Sequence, residues 1–139
     1  HLAHPIIFAI HPRTRLAMKR YEMESLLDFP YITTTPPLGF FETQTLIHHA
    51  RLCITDSGGV IKESYFHKTP AVIIDKQTEW LETVEEGWNR VAGPNGDLIL
   101  QLIENTTIPT VHSNCLGDGT AAKKIVDILA ANLPDYVAK

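Results

Sequence analysis

The chain has 139 residues, a formal net charge of −4 and 44% hydrophobic residues. This composition is ordinary for a globular protein and the length fits one domain, so we predict a single domain over residues 1–139. A slightly acidic chain without a long basic run is a poor candidate for nucleic-acid binding. No apolar stretch approaches the roughly 20 residues that cross a bilayer, so we expect neither nucleic acid nor a membrane as a partner.

The two cysteines indicate the redox environment of the protein, and the first residue suggests that the sequence is part of a longer one. Cys53 lies in an apolar run and Cys115 in a loop-like segment, an arrangement that argues against a disulfide framework and fits the reducing cytoplasm. The chain starts at His1 rather than at a methionine. We therefore expect it to be an N-terminally truncated part of a longer protein.

Strand-like and helix-like segments alternate along the chain. Apolar or β-branched runs predict strands at Ile6–Ile10, Tyr31–Thr34, Leu52–Thr55, Ala71–Ile74 and Asn89–Ala92. Helices are predicted at Leu16–Leu27, Phe40–Ala50, Val60–His67, Trp80–Glu86, Asn95–Glu104 and Gly119–Leu133, with loops at His11–Arg15 and Asn105–Cys115. This alternation predicts βαβ units in an α/β fold, with a Rossmann-like parallel sheet covered by helices on both faces.

The segment Asp56-Ser57-Gly58-Gly59 joins a predicted strand to a predicted helix. Adjacent glycines let a ligand approach the backbone closely, and the free N–H groups of a helix N-terminus attract phosphate. Ser57 adds a hydroxyl donor, and Glu63, about one turn into the helix, is placed to accept bonds from sugar hydroxyls. The pattern indicates a phosphate or nucleotide-sugar cradle. The alternative is plain turn chemistry in which Ser57 caps the helix.

Polar residues follow two other predicted strands, and a second glycine-rich turn precedes the last helix. Ligands of parallel sheets bind at the carboxyl ends of the strands, so His11 and Arg13, and likewise Thr78 and Glu79, are candidate contacts. For His11 and Arg13 the alternative is a histidine that caps a helix and a solvated arginine. The turn Gly117–Thr120 is either a second backbone cradle or, more simply, a helix cap.

The sequence carries no pattern for a metal or a cofactor. His48 and His49 are neighbours and point to different faces of a helix. There is no Cys/His spacing typical of zinc, and neither a dinucleotide-binding nor a Walker glycine loop. Ser57 lacks the context of a nucleophile elbow. We predict no metal, no cofactor and no serine nucleophile.

Three segments in chain order resemble the non-hydrolysing UDP-N-acetylglucosamine 2-epimerase family. They are Thr55–Glu63, then Lys68–Ile74 with the run Thr78–Glu82 and Gly87, and then Gly117–Ala121 followed by Lys124–Leu129. His11-Pro12-Arg13 at a strand end fits the family as well. The resemblance covers nearly the whole chain. It implies the C-terminal half of a glycosyltransferase-B-like enzyme that holds its nucleotide between two Rossmann-like domains.

The resemblance also implies an activity and roles for single residues. Members invert C2 of a UDP-sugar by eliminating UDP and adding it back, an isomerase reaction that serves cell-surface polysaccharide biosynthesis. Residues matching Ser57, Gly58 and Gly59 hold the diphosphate in this family, and the match of Glu63 holds the ribose. Thr78 and Glu79 are further substrate-binding candidates. In some members a histidine matching His11 belongs to an allosteric UDP-sugar site, to which Arg13 is adjacent.

Two departures from the family pattern affect the activity expected of this chain. The family's catalytic acids lie in its N-terminal domain, and its Thr-x-His-Arg motif precedes the segment that matches His1. We therefore expect no catalytic residue here, an inactive isolated chain, and an N-terminal domain as partner. Trp80 stands where many members have a substrate-contacting arginine, as in the branch that includes epimerases of modified uronic-acid sugars.

Two other functions and an oligomeric state remain open at this point. A glycosyltransferase donor domain offers a similar cradle and acid, and a non-catalytic module could bind a UDP-sugar without turning it over. In the family's strand order, the strand that precedes Ile6–Ile10 lies centrally. The chain is thus expected to present unpaired edges at Ile6–Ile10 and Leu52–Thr55. Apolar edges tend to pair, so we expect a homo-oligomer.

Overall fold

The computed structural model describes residues 4–132. Its strands are β1 Ile6–Ala9, β2 Ile32–Thr35, β3 Cys53–Thr55, β4 Ala71–Ile73 and β5 Asn89–Val91. Its α-helices are α1 Pro12–Arg20, α2 Phe40–His49, α3 Gly58–Phe66, α4 Leu81–Glu85, α5 Gly96–Glu104 and α6 Ala121–Asn132. Strands and helices alternate as predicted, and each strand lies within one residue of its expected bounds. The α/β class is confirmed.

The described residues up to Leu46 form one compact unit. Within it, β1 and β2 pair in parallel, with Ile6 opposite Ile32 and Ala9 opposite Thr35. The helix α1 connects them, so the unit is a βαβ arrangement. Ile10, just after β1, is 2% exposed.

The first helix differs from the prediction of one helix over Leu16–Leu27. It begins at Pro12, because proline at the first helical position has its φ preset and needs no N–H partner. His11 caps it, its Nδ1 accepting from the Arg13 N–H at 3.2 Å. The helix ends at Arg20, Glu22 takes a positive φ of 55°, and Glu24–Leu27 forms a separate 3₁₀ turn. The loop predicted at His11–Arg15 is therefore wrong, and the long helix is two shorter elements.

The described residues from Ile47 onward form the second unit. Here β4 lies between β3 and β5, all parallel, with Cys53 opposite Ala71 and Ala71 opposite Asn89. All three residues of β4 are buried, which accounts for its uninterrupted apolar sequence. Helices α3 and α5 pack against β4, and α4 packs against β5. The core of this unit contains Ile61, Tyr65, Val72, Ile73 and Trp88.

Among the described residues, four of the five strands have one neighbour each, and β4 has two. The strand β1 pairs with β2, and β3 pairs with β4. The edges predicted to lack a partner, at Ile6–Ile10 and Leu52–Thr55, are therefore unpaired in residues 4–132. Both edges carry accessible apolar side chains, with Ile7 53% and Ile54 48% exposed.

Helix ends follow local sequence signals. Gly87, two residues after the end of α4, takes a φ of 82°, and its N–H donates to Val84 O at 2.9 Å, an arrangement typical of a helix C-terminus. The predicted end of the last helix, Leu133, lies outside the described residues. Within residues 4–132, none of the helices combines the length and apolar character needed to cross a membrane.

Candidate functional site

The turn from β3 into α3 builds the centre of the site. Thr55 ends β3, and its Oγ1 accepts a hydrogen bond from the Ser57 N–H at 3.0 Å, which reverses the chain. Ser57 is the N-cap residue of α3 in an extended conformation, yet its side chain makes no capping hydrogen bond. The hydroxyl of Ser57 is exposed. It is therefore available to an outside group rather than used to close the helix.

Gly58 and Gly59 occupy the first two positions of α3 with ordinary helical backbone, since neither is among the glycines with positive φ. A Cβ built on Gly58 would lie 3.7 Å from Trp80 Nε1, and one built on Gly59 would lie 3.7 Å from Ser57 Oγ. Both are ordinary van der Waals distances. Neither the backbone conformation nor the protein's own packing thus demands glycine at these positions.

An open cleft of about 640 Å³ lies beside this turn. Its size falls within the range of small-molecule and cofactor sites. Its lining comes from α3, from the segment around the start of α4, and from the loop that follows α5: Gly59, Lys62, Glu63, Phe66, Glu79, Trp80, Glu82, Cys115 and Leu116.

Lys62 and Trp80 form one side of the cleft together. The Lys62 Nζ lies 4.4 Å from the centre of the Trp80 ring, a cation–π contact. Neither side chain is fully buried. The contact connects α3 to the turn before α4, so the two elements that follow β3 and β4 meet at the cleft, as expected for the carboxyl ends of parallel strands.

Charge in the cleft is mixed. Three carboxylates line it, from Glu63, Glu79 and Glu82, against one ammonium, from Lys62. The ion pairs within residues 4–132 join Lys123 to Asp127 and Lys124 to Asp118, on and before α6. The charged groups of the cleft therefore form no salt bridge with one another. They remain available to donors or anions from outside.

The far wall of the cleft, Cys115 and Leu116, is held by a polar cluster under the loop. The Tyr65 hydroxyl lies 2.7 Å from Glu86 Oε2 and 2.8 Å from the Ser113 carbonyl. Glu86 also accepts from the N–H of Ser113 at 3.2 Å and from its hydroxyl. Hydrogen bonds from Ser113 and Tyr65 lower the pKa of Glu86, while burial and the bonds to Cys115 and Glu86 raise the pKa of Tyr65.

The residues predicted from sequence divide into three groups. Gly59, Glu63 and Glu79 line the cleft, and Ser57 and Gly58 form the turn beside it. Thr78 serves the local turn, since its Oγ1 accepts from the Trp80 N–H at 3.2 Å. His11 and Arg13 belong to the unit that ends at Leu46, where the histidine caps α1. His11 therefore has the role given by the alternative prediction, that of a histidine that caps a helix.

Sequence reasoning missed several lining residues. The sequence presents Trp80 as a departure from the family pattern and Glu82 as part of a solvated helix face, and it does not predict Lys62 or Phe66 as site residues. Helical spacing from Gly59 offered a signal for Lys62, Glu63 and Phe66, three, four and seven residues on. Cys115 and Leu116 carried none, because contacts across the fold bring them to the cleft.

Asp118 closes the second glycine-rich turn just before α6. Asp118 Oδ1 accepts from the Thr120 N–H at 3.0 Å, and Lys124 Nζ lies 3.1 Å from Asp118 Oδ2. The hydrogen bonds from Thr120 and Lys124 lower the pKa of Asp118 to about 2. These bonds close the turn itself, which ends before α6 begins at Ala121, so the cradle and the helix cap both stay predictions for Gly117–Thr120. Across residues 4–132 no group of three or more His, Cys, Asp or Glu side chains is arranged to hold a metal ion.

Comparison with known proteins identifies the family. The family model described as UDP-N-acetylglucosamine 2-epimerase matches residues 2–130. The chain belongs to the UDP-N-acetylglucosamine 2-epimerase family. A homolog of UDP-N-acetylglucosamine 2-epimerase from Methanococcus maripaludis is 38% identical over 126 residues, which cover 89% of this chain and 35% of the relative.

Two further relatives and a solved structure fit this family. The UDP-2,3-diacetamido-2,3-dideoxy-D-glucuronate 2-epimerase of Pseudomonas aeruginosa is 32% identical over 91% of this chain and 35% of its own length. The UDP-N-acetylglucosamine 2-epimerase of Methanocaldococcus jannaschii is 35% identical over 89% of this chain and 34% of its own. A crystal structure of the M. jannaschii enzyme in complex with UDP-GlcNAc and UDP superposes with a TM-score of 0.82 over 91% of this chain and 36% of that one. The chain thus spans about a third of the length of these epimerases and shares their α/β, glycosyltransferase-B-like fold.

Proposed function

We propose that this chain is the nucleotide-binding, C-terminal part of a UDP-sugar 2-epimerase. In this proposal Ser57, Gly58 and Gly59 hold the diphosphate, and Glu63 accepts hydrogen bonds from the ribose hydroxyls. Glu79 and Thr78 lie next along the bound molecule, toward the sugar. The family membership favours an epimerase over a glycosyltransferase donor domain or a binding module without turnover.

The two adjacent glycines carry the proposal. Glycine in a helix costs stability relative to alanine, and the conformation and packing at Gly58 and Gly59 accommodate a Cβ. The fold itself therefore does not require glycine at these two positions, and the absence of side chains there leaves room for a bound ligand. A diphosphate resting on the amides of the first turn of α3 fits that space, because those N–H groups have no partner within the helix.

The charges of the cleft fit a nucleotide with both an anionic and a hydroxyl-rich part. The chain carries a net charge of −4, so the attraction for phosphate has to come from local groups. The helix amides and Lys62 supply it. The carboxylate of Glu63, about one turn further into α3, is an acceptor for hydroxyl groups, and it lines the same cleft as Gly59.

The chemistry at C2 requires proton donors and acceptors within hydrogen-bond reach of the sugar. We propose that these come from an N-terminal domain of a longer protein, and that His11 and Arg13 of this chain contribute to a second, regulatory UDP-sugar site. The chain covers about a third of the relatives' length, which is consistent with nucleotide binding in this chain and proton transfer in another domain.

Calorimetric titration with UDP of matched glycine variants tests the cradle. We expect the unmodified chain to bind UDP, and Gly58→Ala or Gly59→Ala to weaken binding strongly while stabilising the fold by about 0.4–1 kcal/mol. Gly96→Ala is the matched control, since Gly96 also begins a helix, α5, and has open space around it. It should gain similar stability and leave UDP binding unchanged.

A rise in stability together with a loss of UDP affinity in Gly58→Ala and Gly59→Ala distinguishes a ligand cradle from a structural turn. A chain that does not bind UDP at all overturns the proposal. So does UDP affinity in Gly58→Ala and Gly59→Ala equal to that of Gly96→Ala. Loss of thermal stability in the two cradle variants would show that the glycines serve the fold instead.

A further inference from the structure

Asn89, the first residue of β5, carries a polar side chain that is 0% exposed. Thr83 and Ser64 beside it are equally buried. Buried polar side chains are costly unless hydrogen-bonded, so a cluster of this kind in a core needs a reason. The contacts of the Asn89 amide supply one.

The amide nitrogen of Asn89 connects two helices. Its Nδ2 donates to Thr83 Oγ1 on α4 at 2.7 Å and lies 3.3 Å from the Ile61 carbonyl on α3. The Thr83 hydroxyl in turn donates to the Trp80 carbonyl at 2.7 Å, so toward Asn89 it acts only as an acceptor. Both partners of Asn89 thus require a donor, which fixes the orientation of the amide.

The two atoms that Asn89 connects lie directly behind the cleft. Ile61 faces the core, and the next residue, Lys62, lines the cleft. Thr83 likewise faces the core, and Glu82 before it lines the cleft, as does Trp80. A shift of either helix in the core therefore moves a wall of the cleft.

The arrangement also has a cost. Among residues 4–132 no protein donor reaches the buried Oδ1 of Asn89. A buried acceptor without a protein partner lowers stability, and an apolar residue of similar shape avoids that loss. An asparagine that spans the two walls of the cleft is better explained by the geometry that it imposes than by the stability that it contributes.

We propose that Asn89 is a positioning residue of the nucleotide cleft, acting through Thr83 and Ile61 to fix the spacing between the cradle helix α3 and the Trp80 side of the cleft. This inference rests on the proposed function for its ligand. It assigns to Asn89 no contact with the ligand itself.

The test compares Thr83→Val and Asn89→Leu with Ser64→Ala. Ser64 is the matched control, because its hydroxyl donates to the same Ile61 carbonyl, at 2.9 Å, without reaching α4. Two readouts are taken: UDP affinity by calorimetry, and quenching of tryptophan fluorescence by iodide. Quenching by iodide reports the exposure of Trp80, because the only other tryptophan, Trp88, is 2% exposed and is shielded from iodide. A Trp80→Phe chain gives the baseline.

We expect Thr83→Val and Asn89→Leu to weaken UDP binding roughly ten- to hundredfold, the range for misplaced binding groups, and to change the iodide-quenched fraction. Ser64→Ala should lose stability but stay near the unmodified chain in both readouts, and Thr83→Ser, which keeps the hydroxyl, should restore them. Unchanged affinity and quenching in Thr83→Val overturn the inference. If the unmodified chain fails to bind UDP, the proposed function is wrong and the quenching data alone decide whether Asn89 positions Trp80.

Discussion

The hydroxyl of Tyr65 lies 2.7 Å from Glu86 Oε2, across 21 residues of sequence, and is the central contact under the cleft's far wall. The ring of Tyr65 is 1% exposed and stacks on His112 with 4.3 Å between ring centres. Ser113 adds two bonds to the same carboxylate. Glu86 and Tyr65 thereby fix the loop that brings Cys115 and Leu116 to the cleft.

The first prediction concerns the pH dependence of this contact. The pKa of Glu86 is lowered from 4.5 in the folded chain, so its stabilising effect is present above about pH 4.5 and is lost as the pH falls through the lowered pKa. We expect Glu86→Gln to lower the melting temperature at neutral pH, and the difference from the unmodified chain to shrink in acid. Melting curves over this pH range check it. A difference that stays constant with pH would contradict it.

Thiol labelling distinguishes the two cysteines. Burial raises the pKa of Cys53 to about 11, so little reactive thiolate exists at neutral pH. Cys115 is exposed and lines the cleft. We expect a maleimide to modify Cys115 first, and UDP to slow that reaction. Mass spectrometry with Cys115→Ser as control measures both rates; equal labelling with and without UDP would show that the nucleotide lies elsewhere.

The ribose contact has a test of its own. If Glu63 accepts bonds from the ribose hydroxyls, Glu63→Ala should weaken UDP binding by about 1–3 kcal/mol, the loss for a broken polar pair. The unmodified chain should prefer UDP to dUDP, and Glu63→Ala should lose that preference. Glu82→Ala, another cleft carboxylate, is the control that should keep it. Retained discrimination in Glu63→Ala would place the ribose away from this residue.

Proton exchange at C2 tests the activity of the chain alone. A set of acid and base groups held against the sugar is needed for exchange, and the proposed function assigns that set to an N-terminal domain outside this chain. Incubation with UDP-N-acetylglucosamine in deuterated water should therefore leave C2 unlabelled by NMR. Deuterium uptake that depends on the chain and disappears on heating it would show that these residues suffice for catalysis.

The unpaired strand edges predict self-association. Exposed apolar edges pair with other strands, and both β1 and β3 offer one within residues 4–132. Light scattering at micromolar concentration should give a mass of at least twice the 15.5 kDa of one chain. Ile54→Lys, which places a charge at the exposed position 54 of β3, should shift the chain toward monomer. A monodisperse monomer before substitution would refute this expectation.

Local patterns were sufficient for the strands and for the turn from β3 into α3. Continuous apolar runs bounded by glycine, proline and polar residues fixed β1 to β5 to within one residue, because burial of a parallel strand leaves a direct trace in sequence. Glycine chemistry and helical spacing predicted that Ser57–Gly59 lies at the start of α3 and that Glu63 lies on the same side of it. The start of α1 was missed, because a histidine cap followed by proline is a weaker signal than the apolar spacing that begins at Leu16.

Contacts between residues that are distant in sequence could not be predicted from local patterns. Nothing around Cys115 indicates that the loop folds back onto Tyr65, 50 residues earlier. Asn89 was assigned correctly to a strand, yet its link to Ile61 depends on how α3 and α4 pack. Periodicity reports which face of an element is buried; it does not report which polar groups meet inside.

The nine-residue helix α3 carries both Gly58 and Tyr65, at its two ends. An α-helix of this length is stiff and spans about 13 Å. A ligand bound at the first turn of α3 and the loop held by Tyr65 at its last turn thus contact the same rigid helix. The free energy of ligand binding and the free energy of ordering the loop are therefore coupled in both directions. Filling the cradle should slow amide exchange in the segment around Ser113, and loosening that segment should release the nucleotide.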